Sequence, residues 1–576
     1  MAVDLEAEIV NYVPDEVCVL VRASETADTD GLYEEVRQTL NPALGHVLAS
    51  SAALPDDPLA RDLEPVELRA RFGAGSEVLH PLVRHGIGSQ GATNGGARPP
   101  WHRHATDANE VMHHFYYAMG TDRVDFHRNY LDERLRRLAC VRELVNLVNH
   151  PPVGLAAVAG ERWSLVSGAP NWLTVAAQIA CGSPAGPAQP ESRTGRWRFR
   201  FDPALESQLA APPVEDPADV VVAILDAAPD SADVPTHGNA YLAEVLRAIH
   251  MHTANQASPA LHPDYFRPPG GVQHYVDGVQ PWWSEPADVA NGFTIQDHGL
   301  FVAGIVYDVA PNAEIHLIRV LNERGIGDAL ALGHILSDLP REMAVGGRRR
   351  LIVNLSLGAT VPVPPSRHSA RWFPTAHTAG AMSDSAARQL LDAAHSSLLS
   401  IVSWLHRQGV LVVAAAGNDA LRRQTRHVDE APPPRYPARY KEVFAVAAAE
   451  ASGAPASYSN RADVVARTNG ITSFGGELGG GKGVVGIYSS DAYPQGQANT
   501  TGWAQWAGTS FATPLIAGVA ARLWAQSSHY QPADLMERIR SYAKPMASSS
   551  APDADPDGPL DAPLLPAWQE YQPSSG

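Results

Sequence analysis

The chain has 576 residues, a mass of 61.6 kDa and 45% hydrophobic residues, enough for two or three domains with a large core. Its 44 Lys and Arg stand against 62 Asp and Glu, for a formal charge of −18, and no long basic run extends beyond Arg348, Arg349 and Arg350. That balance excludes the basic surface of a nucleic-acid binder, and no stretch reaches the roughly 18 apolar residues of a membrane span. Cys18, Cys140 and Cys181 are too few and too far apart for a disulfide framework or a zinc site. Met1-Ala2-Val3-Asp4-Leu5-Glu6 carries acids where a secretory signal has Lys or Arg, so a cytoplasmic location is expected.

In chain order, the apolar run Val17 to Val21 predicts a strand. Leu32, Val36 and Leu40 recur every four residues and predict a helix, with a return strand from His46 to Leu48. Residues 55 to 67 read as an acidic, proline-bearing linker, and residues 85 to 100 as a Gly/Pro-rich loop. Leu131, Leu135, Leu138, Val141, Val145 and Val148 form one stripe of a helix from about Asn129 to Asn149, stopped by Pro151 and Pro152. Gly182 to Gly195 marks a domain boundary. Beyond it, Val220–Leu225, Ile315–Leu321, Leu351–Leu355, Val410–Ala416 and Val443–Ala449 alternate with helical stretches, as in a parallel sheet flanked by helices.

Three positions in this second half carry chemistry. Asp226 ends a buried-type strand, at the carboxyl edge where open α/β sheets place their sites. His298 opens the small-residue helix His298-Gly299-Leu300-Phe301-Val302-Ala303-Gly304. Ser510 lies in Gly508-Thr509-Ser510-Phe511-Ala512-Thr513-Pro514, at the start of an apolar helix whose dipole favours a developing anion. His237-Gly238 is a decoy, because no Val-Ala-Gly follows it.

These three segments resemble the catalytic blocks of the subtilisin-like serine peptidases, and the order Asp, His, Ser is that family's order. The similarity covers roughly residues 218 to 545. Asn354-Leu355-Ser356-Leu357-Gly358 resembles the strand that pairs with substrate, and Ala415-Ala416-Gly417-Asn418 resembles the oxyanion-hole block. The resemblance implies Ser510 as nucleophile, His298 as general base, Asp226 as its orienting carboxylate and Asn418 as oxyanion donor. It further implies Ser356, Leu357, Gly358, Ala416 and Gly417 as substrate-binding residues. A serine endopeptidase working through an acyl-enzyme on protein or peptide substrates is expected, with no cofactor and no metal. The alternative is a catalytically impaired relative that binds peptides as a scaffold.

The sequence departs from the family at Ala227 and Ala228, where a hydroxyl residue and glycine usually follow the aspartate. Residues 360 to 395 and about 466 to 485, and the 72 positions from Asp226 to His298, read as insertions. The expected organisation is a small, possibly prodomain-like α/β unit at 1–60, a mostly helical regulatory or recruitment region at 61–195, the peptidase domain at 196–545 and a polar tail at 546–576. The N-terminal region is expected to bind either the peptidase domain or a target protein, and so control activity. His104, Asp107, Glu110, His113 and His114 read as a solvated helix face, since a bundle metal site needs a second Glu-x-x-His motif.

Overall fold

The computed structural model describes residues 12–50, 78–82, 100–119, 144–149, 162–176, 187–252, 295–343, 350–359, 395–420, 431–546 and 559–573, less short breaks within these spans. The first part is one antiparallel sheet with a helix. Its strands are β1 (Tyr12–Ser24), β2 (Leu79–Pro81), β3 (Trp101–Ala105), β4 (Glu110–Met119) and β5 (Trp163–Ala176), and α1 (Thr29–Ser50) follows β1. β1 lies between β4 and β5, while β2 and β3 both pair with β4. Leu32, Val36 and Leu40 are buried, as their spacing predicts.

The pairing of β1 with β4 and β5 corrects the division at residue 60, because the described parts of 1–60 and 61–195 share one sheet. It also corrects the helical reading of 61–195, whose described residues are mainly strand. Of the helix expected from Asn129 to Asn149, residues 144, 145, 148 and 149 are helical and the others lie outside the described residues. The predicted return strand at His46 to Leu48 is part of α1. The histidine-rich stretch from His104 to His114 is a β3–β4 hairpin rather than a helix, and His104, His113 and His114 are buried. Spacing misleads there because those residues face inward on paired strands, under a second layer.

The second part begins with β6 (Gln189–Pro190), β7 (Arg196–Phe201), α2 (Pro203–Leu209), β8 (Val220–Asp226), α3 (Ala240–Ala248) and β9 (Ile249–His252). It continues with α4 (His298–Val309), β10 (Glu314–Arg319), β11 (Ile326–Asp328), α5 (Ala329–Met343), β12 (Arg350–Leu355) and β13 (Leu357–Ala359). Next come α6 (Ser396–Arg407), β14 (Leu411–Ala415), β15 (Val443–Ala449), β16 (Asp463–Val464), β17 (Ile471–Phe474), β18 (Val484–Ile487) and β19 (Trp503–Trp506). The remaining elements are α7 (Thr509–Ala525), α8 (Pro532–Arg540), β20 (Pro559–Leu560) and β21 (Ala567–Gln572).

Seven strands form a parallel sheet in the order β17-β15-β14-β12-β8-β10-β9. β8 is buried at every position, so it reads as a continuous apolar run instead of alternating. The chain runs from β8 outward to β10 on one side and β12 on the other, and the order reverses there. α4 and α7 pack on one another and against this sheet. Gly518 permits that approach, because a Cβ there would sit 2.7 Å from the Cβ of Val309. The C-terminal stretch expected as a polar tail instead folds back: β21 pairs with β7, β20 pairs with β16, and Ala562 and Leu565 are buried.

The two parts meet on α5 and α6, against which β3 and β5 pack. Ser167 Oγ lies 2.5 Å from Ser396 Oγ, and Asn171 Oδ1 accepts from the backbone N–H of Leu330 at 3.1 Å in the first turn of α5. β5 also pairs antiparallel with both β11 and β13.

Candidate active site

Asp226 is the last residue of β8, and its carboxylate is fully buried at the carboxyl edge of the sheet. His298 is the first residue of α4, and Gly299 lets that helix approach β8 closely. A Cβ on Gly299 would collide with the carbonyl of Ala227 and lie 2.9 Å from the Cβ of Asp226. In this arrangement His298 Nδ1 lies 2.7 Å from Asp226 Oδ1, with both side chains at 0% exposure. Asp226 Oδ1 also accepts from the N–H of Ala227 at 2.7 Å, whereas Oδ2 carries no hydrogen bond. An acceptor oxygen facing Nδ1 selects the tautomer with its proton there, which leaves Nε2 able to accept. Nε2 has no hydrogen-bond partner.

Ser510 occupies the first turn of α7, where backbone N–H groups lack intrahelical acceptors. Its Oγ donates to the carbonyl of Ser356 at 3.3 Å, and Ser356 Oγ donates to the carbonyl of Ser510 at 2.8 Å. This reciprocal pair ties the start of α7 to the junction of β12 and β13. His298 packs beside the next residue, Phe511, at 5.4 Å between ring centroids, and edge-on to Trp506 at 5.6 Å. Asn418 follows β14; its Oδ1 accepts from both N–H and Oγ1 of Thr509 at 3.0 Å. With its acceptor end held there, the amide turns its Nδ2 donor toward the Gly508 side, 3.4 Å from where a Cβ on Gly508 would sit.

The predicted positions Asp226, His298, Ser510 and Asn418 thus converge from four elements at one end of the sheet. Ser356, Leu357 and Gly358 are also here, with Ala416 and Gly417 on the neighbouring β14 segment. The decoy His237 lies at φ +49° in a turn, with Nε2 2.8 Å from the carbonyl of Ser489. Residues 253 to 294 and 360 to 394, within the stretches read as insertions, lie outside the described residues.

Two features of the site have no counterpart in the sequence reading. β5 runs between β11 and β13, with Asp328↔Leu173, Gly327↔Thr174 and Ile326↔Val175 on one side and Ala359↔Thr174, Gly358↔Val175 and Leu357↔Ala176 on the other. The N–H of Ala176 donates to the carbonyl of Gly325 at 2.8 Å. The other feature is an ion pair, Arg435 with Asp419, beside Gly417. The sequence reading did not single out Trp163–Ala176, and its partners β11 and β13 are far along the chain, so no local signal names them.

Among the described residues, His250, Glu314 and His316 alone could gather around a metal ion, with ligand atoms within 4.8 Å of one another. They sit on the edge strand β9 and its neighbour β10, where His316 already bridges Glu314 and His252 at 2.8 Å each.

A parallel sheet flanked by helices, with these residues at its carboxyl edge, places the molecule in the subtilisin-like α/β class. The model of the Subtilase family matches residues 218–558, more than half of the chain, and the chain belongs to that family. It is 27% identical over 265 residues to a thermostable alkaline protease of Halalkalibacterium halodurans, covering 44% of this chain and 54% of that protein. It is 28% identical over 264 residues to subtilisin E of Bacillus subtilis, covering 44% of this chain and 52% of that protein. The chain spans about half the length of these relatives. A solved cold-adapted subtilisin-like serine proteinase matches with a TM-score of 0.32 at 18% identity, over 62% of this chain and 90% of its own. No helix among the described residues is long and apolar enough to cross a membrane.

Proposed function

We propose that the chain is a serine endopeptidase in which Ser510, His298, Asp226 and Asn418 act together, and that its N-terminal region restrains it. The observation that carries the catalytic part is the fully buried 2.7 Å Asp226–His298 contact beside Ser510 at the start of α7. Ser510 Oγ attacks the scissile carbonyl while its proton passes to His298 Nε2. The oxyanion so formed accepts from Asn418 Nδ2 and from the backbone N–H of Ser510. The C–N bond then breaks as His298 protonates the departing amine, and water hydrolyses the acyl-enzyme by the same route in reverse.

What supports the regulatory part is the position of β5. A substrate bound by strand addition would use the free edges of β11 and β13, and β5 holds both. Residues 174–176 therefore compete with any substrate for the same main-chain bonds.

Labelling of the full chain with a fluorophosphonate tests the catalytic reading. Covalent incorporation in the wild type that disappears in Ser510→Ala is expected. Absence of labelling, with binding of peptides retained, supports the scaffold alternative instead.

A further inference from the structure

The residue that a substrate presents just before the scissile bond meets a slot that this chain has already filled. The direction of β5 locates the slot. Thr174, Val175 and Ala176 face Ala359, Gly358 and Leu357 in turn, so the next register position falls opposite Ser356, whose carbonyl receives Ser510 Oγ. A substrate residue there is the one acylated. Side chains alternate along a strand, so its side chain shares a face with that of the residue opposite Gly358. On that side β13 neighbours the segment after β14, and each wall contributes a glycine, Gly358 and Gly417. Gly417 stands at φ +109°, a conformation that favours glycine.

The stem of Arg435 lies between these two glycines. A Cβ on Gly417 would meet Arg435 Cδ at 3.1 Å and Cγ at 3.3 Å, and one on Gly358 would meet Arg435 Cδ at 3.5 Å. The backbone N–H of Arg435 donates to the carbonyl of Ala416 at 2.9 Å, which pins its origin to the slot wall. Its guanidinium makes a bidentate pair with Asp419 at 2.6 and 2.7 Å, and each side chain is 13% exposed. Asp419 is fixed in turn by Asn460, which donates Nδ2–H to Oδ2 at 2.9 Å and accepts the Asp419 N–H at 2.7 Å. A planar fork held in this way is pre-organised and does not swing aside cheaply.

We infer that Arg435 sets specificity by filling the pocket for the residue before the scissile bond, so that small side chains (Ala, Gly, Ser) are accepted there and aromatic or long aliphatic ones are refused. The inference rests on the peptidase reading. Asp419 adds a second consequence: its bidentate pair holds the Arg435 stem in the slot, so weakening that pair loosens the filling.

Full-length protein, Arg435→Gly and Asp419→Asn are incubated with a peptide library, cleavage sites are read by mass spectrometry, and fluorophosphonate labelling is followed in parallel. Wild type is expected to cut after Ala, Gly or Ser at least 10-fold more often than after Phe or Leu. Arg435→Gly is expected to admit Leu and Phe, and Asp419→Asn, which loosens the fork, to admit them to a smaller extent. Thermal melts check that both variants fold, and two substitutions acting on the same slot keep misfolding of one from deciding the matter. Labelled protein that cuts after Phe as readily as after Ala, or variants with an unchanged profile, overturn the specificity assignment and leave the peptidase standing. If neither the wild type nor Ala176→Pro, in which the pairing of β5 is weakened, labels or cuts, the peptidase reading is overturned, and the specificity assignment with it.

Discussion

Asp226 holds His298 through one oxygen only: Oδ1 lies 2.7 Å from His298 Nδ1 and also accepts the Ala227 N–H, while Oδ2 has no hydrogen-bond partner. Two donors on one oxygen fix the direction of the carboxylate without a hydroxyl from the next residue, which is alanine in this chain. Asp226→Asn removes the charge and offers an N–H where an acceptor is needed, favouring the wrong tautomer. A fall in kcat of about 10⁴ with little change in KM is expected, measured on a peptide substrate.

Gly299 sets the spacing of that pair. In Gly299→Ala the new methyl meets the Ala227 carbonyl and the Asp226 Cβ, both fixed in the buried edge of β8. Overpacking of this kind costs about 1–3 kcal/mol. A lower melting temperature and a lower kcat are expected together, because the displaced helix carries His298. Unchanged kcat in a destabilised protein would show that the helix relaxes without moving the imidazole.

The oxyanion role proposed for Asn418 has its own signature. Asn418→Ala removes a donor needed chiefly in the transition state, so kcat should drop about 10²–10³-fold while KM changes little. A matching rise in KM would point to ground-state binding instead.

Restraint by β5 depends on backbone N–H groups. Ala176→Pro deletes the donor to Gly325 and disfavours pairing beside Leu357. Faster fluorophosphonate labelling of the full chain is expected, with Ser510 still the labelled residue. A slower or equal rate would show that β5 does not limit access.

Acid should loosen the same region. His102, His104 and His114 crowd together under α5 and α6, with ring centroids of 4.2 Å for His102–His114 and 5.1 Å for His104–His114. Ser337, His334, Ser400, Trp404 and Arg407 face them from α5 and α6, and Arg103 flanks His113. Burial, with Arg407 and then His113 adding to it, pushes His104 down to about 3. Burial and Arg103 push His113 down to about 4. Burial also holds His102 and His114 well below the usual imidazole range. A folded-state pKa below the unfolded value means that the unfolded chain takes up the proton first. Stability is therefore full above about pH 6.5 and is lost as pH falls from there toward 4 and 3. Melting temperature should drop between pH 7 and pH 4, and His104→Phe should flatten that dependence. A flat profile in the wild type would contradict it.

The strands of the parallel sheet were legible because burial on both faces writes each as an unbroken apolar run, as in Val220 to Leu225. The blocks around His298 and Ser510 were legible through their family resemblance, and the structure supplies a physical reason for the small residues in them: α4 and α7 approach the sheet and each other closely at Gly299 and Gly518. The N-terminal histidines were misread for the converse reason. His104 and His113 are polar residues buried by a neighbouring layer, and local periodicity carries no trace of that layer.

By itself the sequence determined the strands of the parallel sheet, which short-range packing writes as apolar runs, and the blocks around Asp226, His298, Asn418 and Ser510, whose residues adjacent in the chain carry the family resemblance. Only the tertiary structure decided that β5 lies between β11 and β13, that the C-terminal segment returns to β7, and that the stem of Arg435 lies between Gly358 and Gly417. Each of these brings together segments far apart in sequence through backbone pairing or packing. Such contacts are fixed by the closing of the whole chain rather than by the composition of either partner.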